Sequence, residues 1–350
     1  MPSDTMPDMT PDIPSDNPLT VSSWPGSTDI LPAQPVAFDR SHWGRIRLTG
    51  ADRARFLHNQ TTNQIEQLSA GQGCHTVFVT STGRTIDLAT VYVLPESLLV
   101  ICSPGMVQSL YDWMDRYIFF SDKVTLTNEC DRTFLFTLLG EQADKVAVAL
   151  GAEALVGQEN FTHVPLEKFS SEGSVYISVG SDLAMAGYTL WGPQSAAPAV
   201  WKALSAAGVT VGDRTQWEQL RIAQGRPMPN QELTDDDNPL EAGLWHSVSF
   251  EKGCYIGQET IARLNTYKGV KKRLWGILPS APVSMGAVIT QDGEKIGRVT
   301  SVAQSDSGGY GLAYIRTKAG GLDLQVDIAG VSAQVVALPF VVHEYYTATN

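Results

Sequence analysis

Apolar residues follow helical spacing in a few segments of the chain and strand-like alternation in many more. The helical spacing is clearest after Pro104, where Met106, Leu110, Trp113 and Tyr117 would share one face. The pattern predicts helices over residues 51–60, 106–119, 142–150, 197–207, 213–224 and 258–264. It predicts strands over residues 76–80, 86–94, 98–102, 124–128, 134–139, 175–179 and 188–191. Because no regular β-α-β alternation emerges, the order of elements predicts an α+β fold.

The pattern changes after Lys272, where short alternating segments are separated by turn signals. The pairs Asp292-Gly293 and Gly308-Gly309 are typical of hairpins. Strands are predicted over residues 287–290, 297–303, 311–315, 322–328 and 332–338. We therefore expect residues 273–345 to form a small antiparallel β-barrel or sandwich.

The amino-terminal segment differs from the rest in composition. Residues 1–34 are rich in Pro, Ser, Asp and Thr, which predicts a disordered acidic tail. The net charge is -12, and six unbalanced aspartates within the first 39 residues leave about -6 for the remainder. That balance argues against broad nonspecific nucleic-acid binding, which needs an extended cationic surface. The folded part would comprise an α+β region over residues 35–272, with two interwoven domains of which the second covers roughly 130–205, and then the barrel.

Cysteine and histidine usage indicates a reduced, cytoplasmic protein without a resident metal. The four cysteines, at positions 74, 102, 130 and 254, form no C-x-x-C pair, and the six histidines show no metal-ligand spacing. No apolar run approaches the roughly 18 residues of a membrane span, and no secretory signal is evident. We expect a cytoplasmic protein that contacts no membrane.

Residues 252–259, with the sequence KGCYIGQE, concentrate the candidate chemistry. They place Cys254 between two glycines, beside Lys252 and just before a predicted helix. A cation and the free N–H groups of a helix start would both favour the thiolate. The alternative that these residues leave open is an inert, packed cysteine.

Several motifs in a common order carry a resemblance to a known family. They are LTGAD at 48–52, RFLHNQTTN at 55–63, TGRTID at 82–87, LRIAQGRP at 220–227, NPLEAGL at 238–244, KGCYIGQE at 252–259 and IAR at 261–263 followed by KKR at 271–273. Together they resemble the YgfZ group of folate-binding proteins, relatives of the glycine-cleavage T-protein (aminomethyltransferase).

The resemblance implies a T-protein-like, multidomain arrangement around a central cavity that binds tetrahydrofolate or a derivative. The candidate ligand-binding residues are Lys252, Tyr255, Gln258, Glu259, Arg263, Arg221 and Asn63. Further cations for a glutamate tail would come from Arg84 and the basic run 268–273, and Tyr255 or Trp245 would form an aromatic wall.

The resemblance also implies a role for Cys254 as the working thiol of an accessory protein. In that role the protein supports iron–sulfur cluster assembly or repair in client enzymes and, through them, tRNA modification. The thiolate could transiently hold a cluster, a metal or a one-carbon adduct, since thiolate is the form that ligates and attacks. Partners would be folate, client enzymes or assembly proteins, with tRNA only indirectly involved.

A true one-carbon transferase is the alternative, with Asp87 as the catalytic acid–base group on a tetrahydrofolate-linked carbon. Two departures from the T-protein pattern count against it. Ala223 stands where the T-protein has an acidic residue, and Asp87 is followed by Leu88 where the T-protein has two adjacent aspartates. A shift of one residue on a strand would turn a side chain to the opposite face. A tRNA-binding module that uses the basic run at 268–273 is a third possibility.

Overall fold

The computed structural model describes residues 34–169, 173–305 and 308–347. The predicted acidic tail lies almost entirely outside these residues. The helices are α1 Arg53–Gln60, α2 Val107–Asp115, α3 Ala143–Leu150, α4 Ala197–Ala206, α5 Arg214–Gln224 and α6 Gln258–Thr266. The first eleven strands are β1 Val36–Asp39, β2 Gly44–Thr49, β3 Gly73–Val79, β4 Thr85–Val93, β5 Ser97–Cys102, β6 Thr125–Asn128, β7 Thr133–Leu139, β8 His163–Pro165, β9 Tyr176–Val179, β10 Gly187–Pro193 and β11 Thr210–Gly212. The last six strands are β12 Lys272–Pro279, β13 Val288–Gln291, β14 Glu294–Ser305, β15 Gly308–Arg316, β16 Gln325–Ile328 and β17 Val331–Val336.

Two antiparallel-dominated sheets form the first two thirds of the fold. One sheet has five strands in the order β3-β4-β5-β2-β6, and the other has six in the order β11-β1-β7-β10-β9-β8. The chain begins in the six-stranded sheet with β1, crosses to the five-stranded sheet for β2 to β6, and then returns. The two sheets are therefore interwoven along the chain.

The sheets pack face to face and carry helices on their outer faces. Phe38, Leu135 and Trp191 of the six-stranded sheet share one buried cluster with Tyr92 and Ile101 of the other sheet. Helices α1 and α2 cover the outer face of the five-stranded sheet, and α3 and α4 cover that of the six-stranded sheet. Since side chains alternate between faces along a strand, central strands such as β5 and β7 contribute to two cores.

The carboxy-terminal part is a closed antiparallel barrel in the order β12-β15-β14-β13-β16-β17. This confirms the predicted barrel. Asp292 and Gly293 both have positive φ, 51° and 81°, at the turn between β13 and β14, as a tight hairpin requires. Gly308 and Gly309 begin β15, next to residues outside the described part of the chain.

Helix α5 joins the barrel to the two sheets. Asp213 caps it, because its carboxylate accepts from the backbone N–H of Gln216 while the Gln216 side chain accepts from the backbone N–H of Asp213. Ile222 and Ala223 pack against Leu312 and Tyr314 of the barrel. The predicted α+β class and the multidomain arrangement are confirmed.

Candidate functional site

The segment 252–258 lies across the carboxy-terminal end of α1. The Lys252 ammonium donates to the backbone carbonyls of His58, Thr61 and Asn63 at 2.5, 2.7 and 2.8 Å. The backbone N–H of Ile256 also donates to the carbonyl of Asn59. Lysine thus satisfies carbonyl groups that a helix end leaves unpaired, and it fixes the segment to the five-stranded sheet.

These three carbonyls accept all three ammonium hydrogens of Lys252. The lysine therefore stabilises the end of α1 and donates no hydrogen bond to the Cys254 thiol. Burial lowers the pKa of Lys252 to about 7. The three carbonyl acceptors act in the opposite direction, because they accept from the charged form. Its charge lies 4.8 Å from the centre of the Tyr255 ring, which forms a cation–π contact.

Gly257 forms the turn that starts α6. Its φ is +81°, and a Cβ there would lie 2.6 Å from the carbonyl oxygen of Thr80, so both conformation and space require glycine. The side-chain oxygen of Gln258 accepts from the backbone N–H of Tyr255 and closes the turn. The predicted helix at 258–264 is confirmed and extends to Thr266.

Cys254 is exposed, and it is the only one of the four free cysteines in that class. Cys74 and Cys130 are half-buried and Cys102 is buried. Within the described residues no group of three or more His, Cys, Asp or Glu side chains could hold a metal ion. The thiol is therefore open to a partner or ligand but has no preformed metal site around it.

Asp87 has the opposite environment. It is fully buried on β4, where its two oxygens accept from the backbone N–H and the hydroxyl of Ser103 at 2.8 and 2.6 Å. Burial raises the pKa of Asp87 to about 6, although the Ser103 bonds and the Arg226 charge favour the carboxylate. Asp87 is therefore not an exposed strand residue.

The face on which Asp87 lies is the outer face of the five-stranded sheet. Ala89 and Val91 lie two and four residues after Asp87 on β4, so they face the same side, and they belong to the core beneath α1 and α2. Leu88 faces the other side, in the cluster with Leu240 and Phe340. The side of β4 that faces the rest of the molecule therefore carries Leu88 and not Asp87.

A buried ionic cluster that the sequence analysis did not predict lies between the two sheets. Asp182 contacts Arg40 at 2.6 Å, Arg226 at 3.1 Å and His75 at 2.8 Å, and it also accepts from the Thr90 hydroxyl. The two arginines hold the pKa of the Asp182 carboxyl well below its usual range. No local pattern could reveal this cluster, because its five members come from five separate segments of the chain. Arg226 did stand in the LRIAQGRP motif.

Asn63 connects this region to the segment 252–258. Its carbonyl accepts from Lys252, and its side-chain amide donates to the carbonyl of His75 at 2.7 Å. The rings of His75, His246 and Phe340 lie together, with His246 5.2 Å from Phe340 and 6.0 Å from His75 between centroids. His75 and Phe340 are buried, whereas His246 is exposed, so His246 is the member of this group that solvent reaches.

The remaining candidates lie apart from this region. Arg221 is fully buried between α5 and the barrel, with Glu218, Glu232 and Ser301 as partners. Arg263 and Glu259 pair with each other on the exposed face of α6. Trp245 is buried against Phe250 and Tyr345.

In the basic run 268–273, two cations contact other residues of the protein and two are exposed to solvent. Lys272 pairs with the buried carboxylate of Asp237, and Arg273 stacks over Tyr345. Lys268 and Lys271 are exposed. Arg84 donates to the carbonyl of Asp236.

The sequence matches two family descriptions that together span the folded part. Residues 33–252 match the GCVT N-terminal domain, and residues 272–341 match the glycine cleavage T-protein C-terminal barrel domain. Two interwoven sheets followed by a closed barrel thus define an aminomethyltransferase-like protein. The chain belongs to the glycine cleavage T-protein family.

Relatives and a solved structure agree with this assignment. A chloroplastic protein of Arabidopsis thaliana that carries the name "putative transferase" is 43% identical over 90% of this chain and 73% of its own length. An aminomethyltransferase of Halalkalibacterium halodurans is 28% identical over 92% of this chain and 91% of its own length. The crystal structure of the glycine cleavage system aminomethyltransferase T from Bartonella henselae superposes with a TM-score of 0.77 at 20% identity, covering 91% of this chain and 89% of that one. It shows the shared fold.

Across the described ranges, no helix combines the length and the apolar character that crossing a membrane requires.

Proposed function

We propose that this chain is a folate-binding accessory protein of the YgfZ type, in which Cys254 is the working group. The observation that carries the proposal is the contrast between an exposed thiol and an enclosed carboxylate. A nucleophile or ligand must reach its substrate, and Cys254 can do so without rearrangement.

The enclosure of Asp87 counts against aminomethyl transfer as the reaction. A general acid–base group must come within hydrogen-bond reach of the proton it moves. Asp87 lies on the outer face of its sheet and already accepts two bonds from Ser103. Ala223, at the position where the resemblance places a T-protein acid, packs into the apolar contact with the barrel.

A tetrahydrofolate derivative would bind against the exposed His246, beside His75 and Phe340. Aromatic rings next to polar groups suit a flat pterin, which needs apolar walls and a few hydrogen-bond partners. Asn63 joins the backbone of His75 to Lys252, so a ligand bound there would influence the segment that carries Cys254. Tyr255, Gln258 and Glu259 would then position that segment, while Arg263 and the exposed Lys268 and Lys271 remain available to an anionic tail.

Cys254 would transiently hold an iron–sulfur cluster, a metal or a one-carbon adduct as cargo. A single thiolate cannot complete a four-cysteine cluster site, so the other ligands would come from a client enzyme or assembly protein. The link to tRNA is indirect in this scheme, because Lys272 and Arg273 are engaged within the protein. The cytoplasmic location stays a prediction, which cell fractionation can check.

Aminomethyl turnover with tetrahydrofolate separates the two classes of function. We expect the purified protein to bind tetrahydrofolate in a titration but to transfer no aminomethyl group. Sustained turnover that is lost in Asp87→Asn and kept in Cys254→Ala would overturn the proposal. Failure to bind tetrahydrofolate would contradict the proposed folate binding but not the proposed role of Cys254.

A further inference from the structure

Gly253 and Gly257 flank Cys254, but only Gly257 is required by the backbone. A Cβ at Gly257 would collide with the Thr80 carbonyl, and its φ is positive. Gly253 has no positive φ, and a Cβ placed there would meet one described atom within 4 Å, Nε2 of His58 at 3.9 Å. An alanine would fit at 253 without strain. The missing side chain therefore leaves open space in front of His58.

His58 presents an unused hydrogen to this space. It is a residue of α1 and is only 4% exposed. Its Nδ1 accepts from the backbone N–H groups of Ile65 and Glu66 at 3.4 Å, so in the neutral ring Nε2 carries the hydrogen. Nε2 makes no hydrogen bond with any residue that the structure describes. Nε2 is not among the enclosed unpaired atoms of the described residues, so its hydrogen faces the space over Gly253 and is open to a ligand or water.

The surroundings of this space favour a negatively charged or strongly accepting group. Lys252 places its positive charge on the carbonyl of His58 itself. The backbone N–H groups of Gly253 and Cys254 also have no partner among the described residues, and both residues are exposed. Burial and the Lys252 charge lower the pKa of His58, so the ring stays neutral and keeps Nδ1 as an acceptor. Glu66 acts weakly in the opposite direction.

We propose that the open space over Gly253 is a binding site for a carboxylate or similar acceptor oxygen, which accepts from Nε2–H of His58 while the rest of the ligand lies against the Cys254 thiol. This rests on the proposed function and assigns part of the ligand recognition to His58, which binds the ligand directly. Gly253 keeps the site open, and Gly257 shapes the turn. The ligand class is a small carboxylate, either free or attached to the Cys254 sulfur.

Alkylation of Cys254 with two reagents tests the site. Iodoacetate and iodoacetamide form the same bond, in which the thiolate attacks carbon and iodide leaves, but only iodoacetate carries a carboxylate. The ratio of the two rates, followed on the Cys254 peptide by mass spectrometry, cancels any change in thiol reactivity. We expect His58→Leu to lower the iodoacetate-to-iodoacetamide ratio about fivefold, the loss of one hydrogen bond to a charged group at a partly exposed site.

Three further variants make the result decisive. His58→Gln keeps an amide N–H and should restore much of the ratio, whereas Gly253→Ala should lower it as His58→Leu does, with unchanged thermal stability. His42→Leu, at an exposed histidine elsewhere, should leave it unaltered. If His58→Leu fails to fold, Gly253→Ala still decides. An equal ratio in wild type, His58→Leu and Gly253→Ala would overturn the site. Because the assay uses isolated protein, that outcome would leave the cellular role of Cys254 standing.

Discussion

The ionic cluster around Asp182 and the segment around Cys254 use charge in contrasting ways. Arg40, Arg226 and His75 surround the Asp182 carboxylate, whose side chain is only 6% exposed. Lys252 instead donates its hydrogen bonds to backbone carbonyls at the end of α1, and the neighbouring Cys254 thiol stays exposed. Strong buried electrostatics here hold the two sheets together, while the group available for chemistry lies on a rigid surface segment. Substitutions in the Asp182 cluster should therefore change mainly the stability of the fold, and substitutions in the Cys254 segment mainly its function.

The largest expected effect follows from removing the carboxylate at the centre of the cluster. Asp182→Ala leaves Arg40 and Arg226 buried next to each other without a counter-charge. Such uncompensated burial typically costs about 3–5 kcal/mol. Urea unfolding should show this loss. A change below about 1 kcal/mol would mean that water reaches the cluster, and the contrast would fail.

The second effect is a pH dependence from Asp87. Its pKa is raised to about 6 in the fold, so its contribution to stability is fully present below the unfolded pKa of about 4 and is lost as pH rises through 6. In the Asp87→Asn variant the side chain does not ionise, so its stability does not fall with rising pH for this reason. Relative to wild type, the variant should therefore gain about 3 kcal/mol between pH 4 and pH 7. Parallel stability curves for the two proteins would show that Asp87 is not enclosed as described.

The third effect compares the two glycines beside Cys254. Gly257→Ala forces a positive φ and a collision on a residue with a Cβ, and should cost about 2–3 kcal/mol. Gly253→Ala is its matched control and should change stability by less than about 0.5 kcal/mol. Thermal unfolding of both variants checks this. Equal losses of stability in the two variants would mean that Gly257 is no more required by the backbone than Gly253.

The smallest effect concerns the exposed pair on α6. Arg263 and Glu259 are 66% and 84% exposed, so their ion pair is screened by water. Arg263→Ala should alter stability by less than about 0.5 kcal/mol. A weaker affinity for a polyglutamylated folate in the same variant would instead support Arg263 as a ligand contact. Unchanged affinity would remove it from the candidates.

Local chemistry made some features predictable. The capped start of α5 follows from Asp213 and Gln216 three residues apart, and the barrel follows from alternation and the Asp292-Gly293 turn. The short strands β1, β8 and β11 have only three or four residues each, too few for a periodic pattern to stand out. Their pairing depends on distant partners, such as Val36 beside Thr210.

The candidate site was predictable only where one segment holds it. The KGCYIGQE segment contains the thiol, the lysine and the turn glycine, so the sequence alone was enough to propose it as a candidate, and the exposure of the thiol was added by the fold. The roles of Lys252 as a cap for α1 and of His58 as a neighbour of Gly253 require the fold, because the Lys252 partners alone are 189 to 194 positions away in the sequence. The same holds for Asp182, whose cluster has no local signature.

The most direct test of the central claim is iron–sulfur enzyme activity in cells that lack the native protein and carry either Cys254→Ala or Asp87→Asn. Cys130→Ala, which removes a half-buried thiol elsewhere, serves as the matched control. The account predicts that Cys254→Ala fails to restore activity while Asp87→Asn and Cys130→Ala succeed at equal protein levels. Full restoration by Cys254→Ala would contradict it.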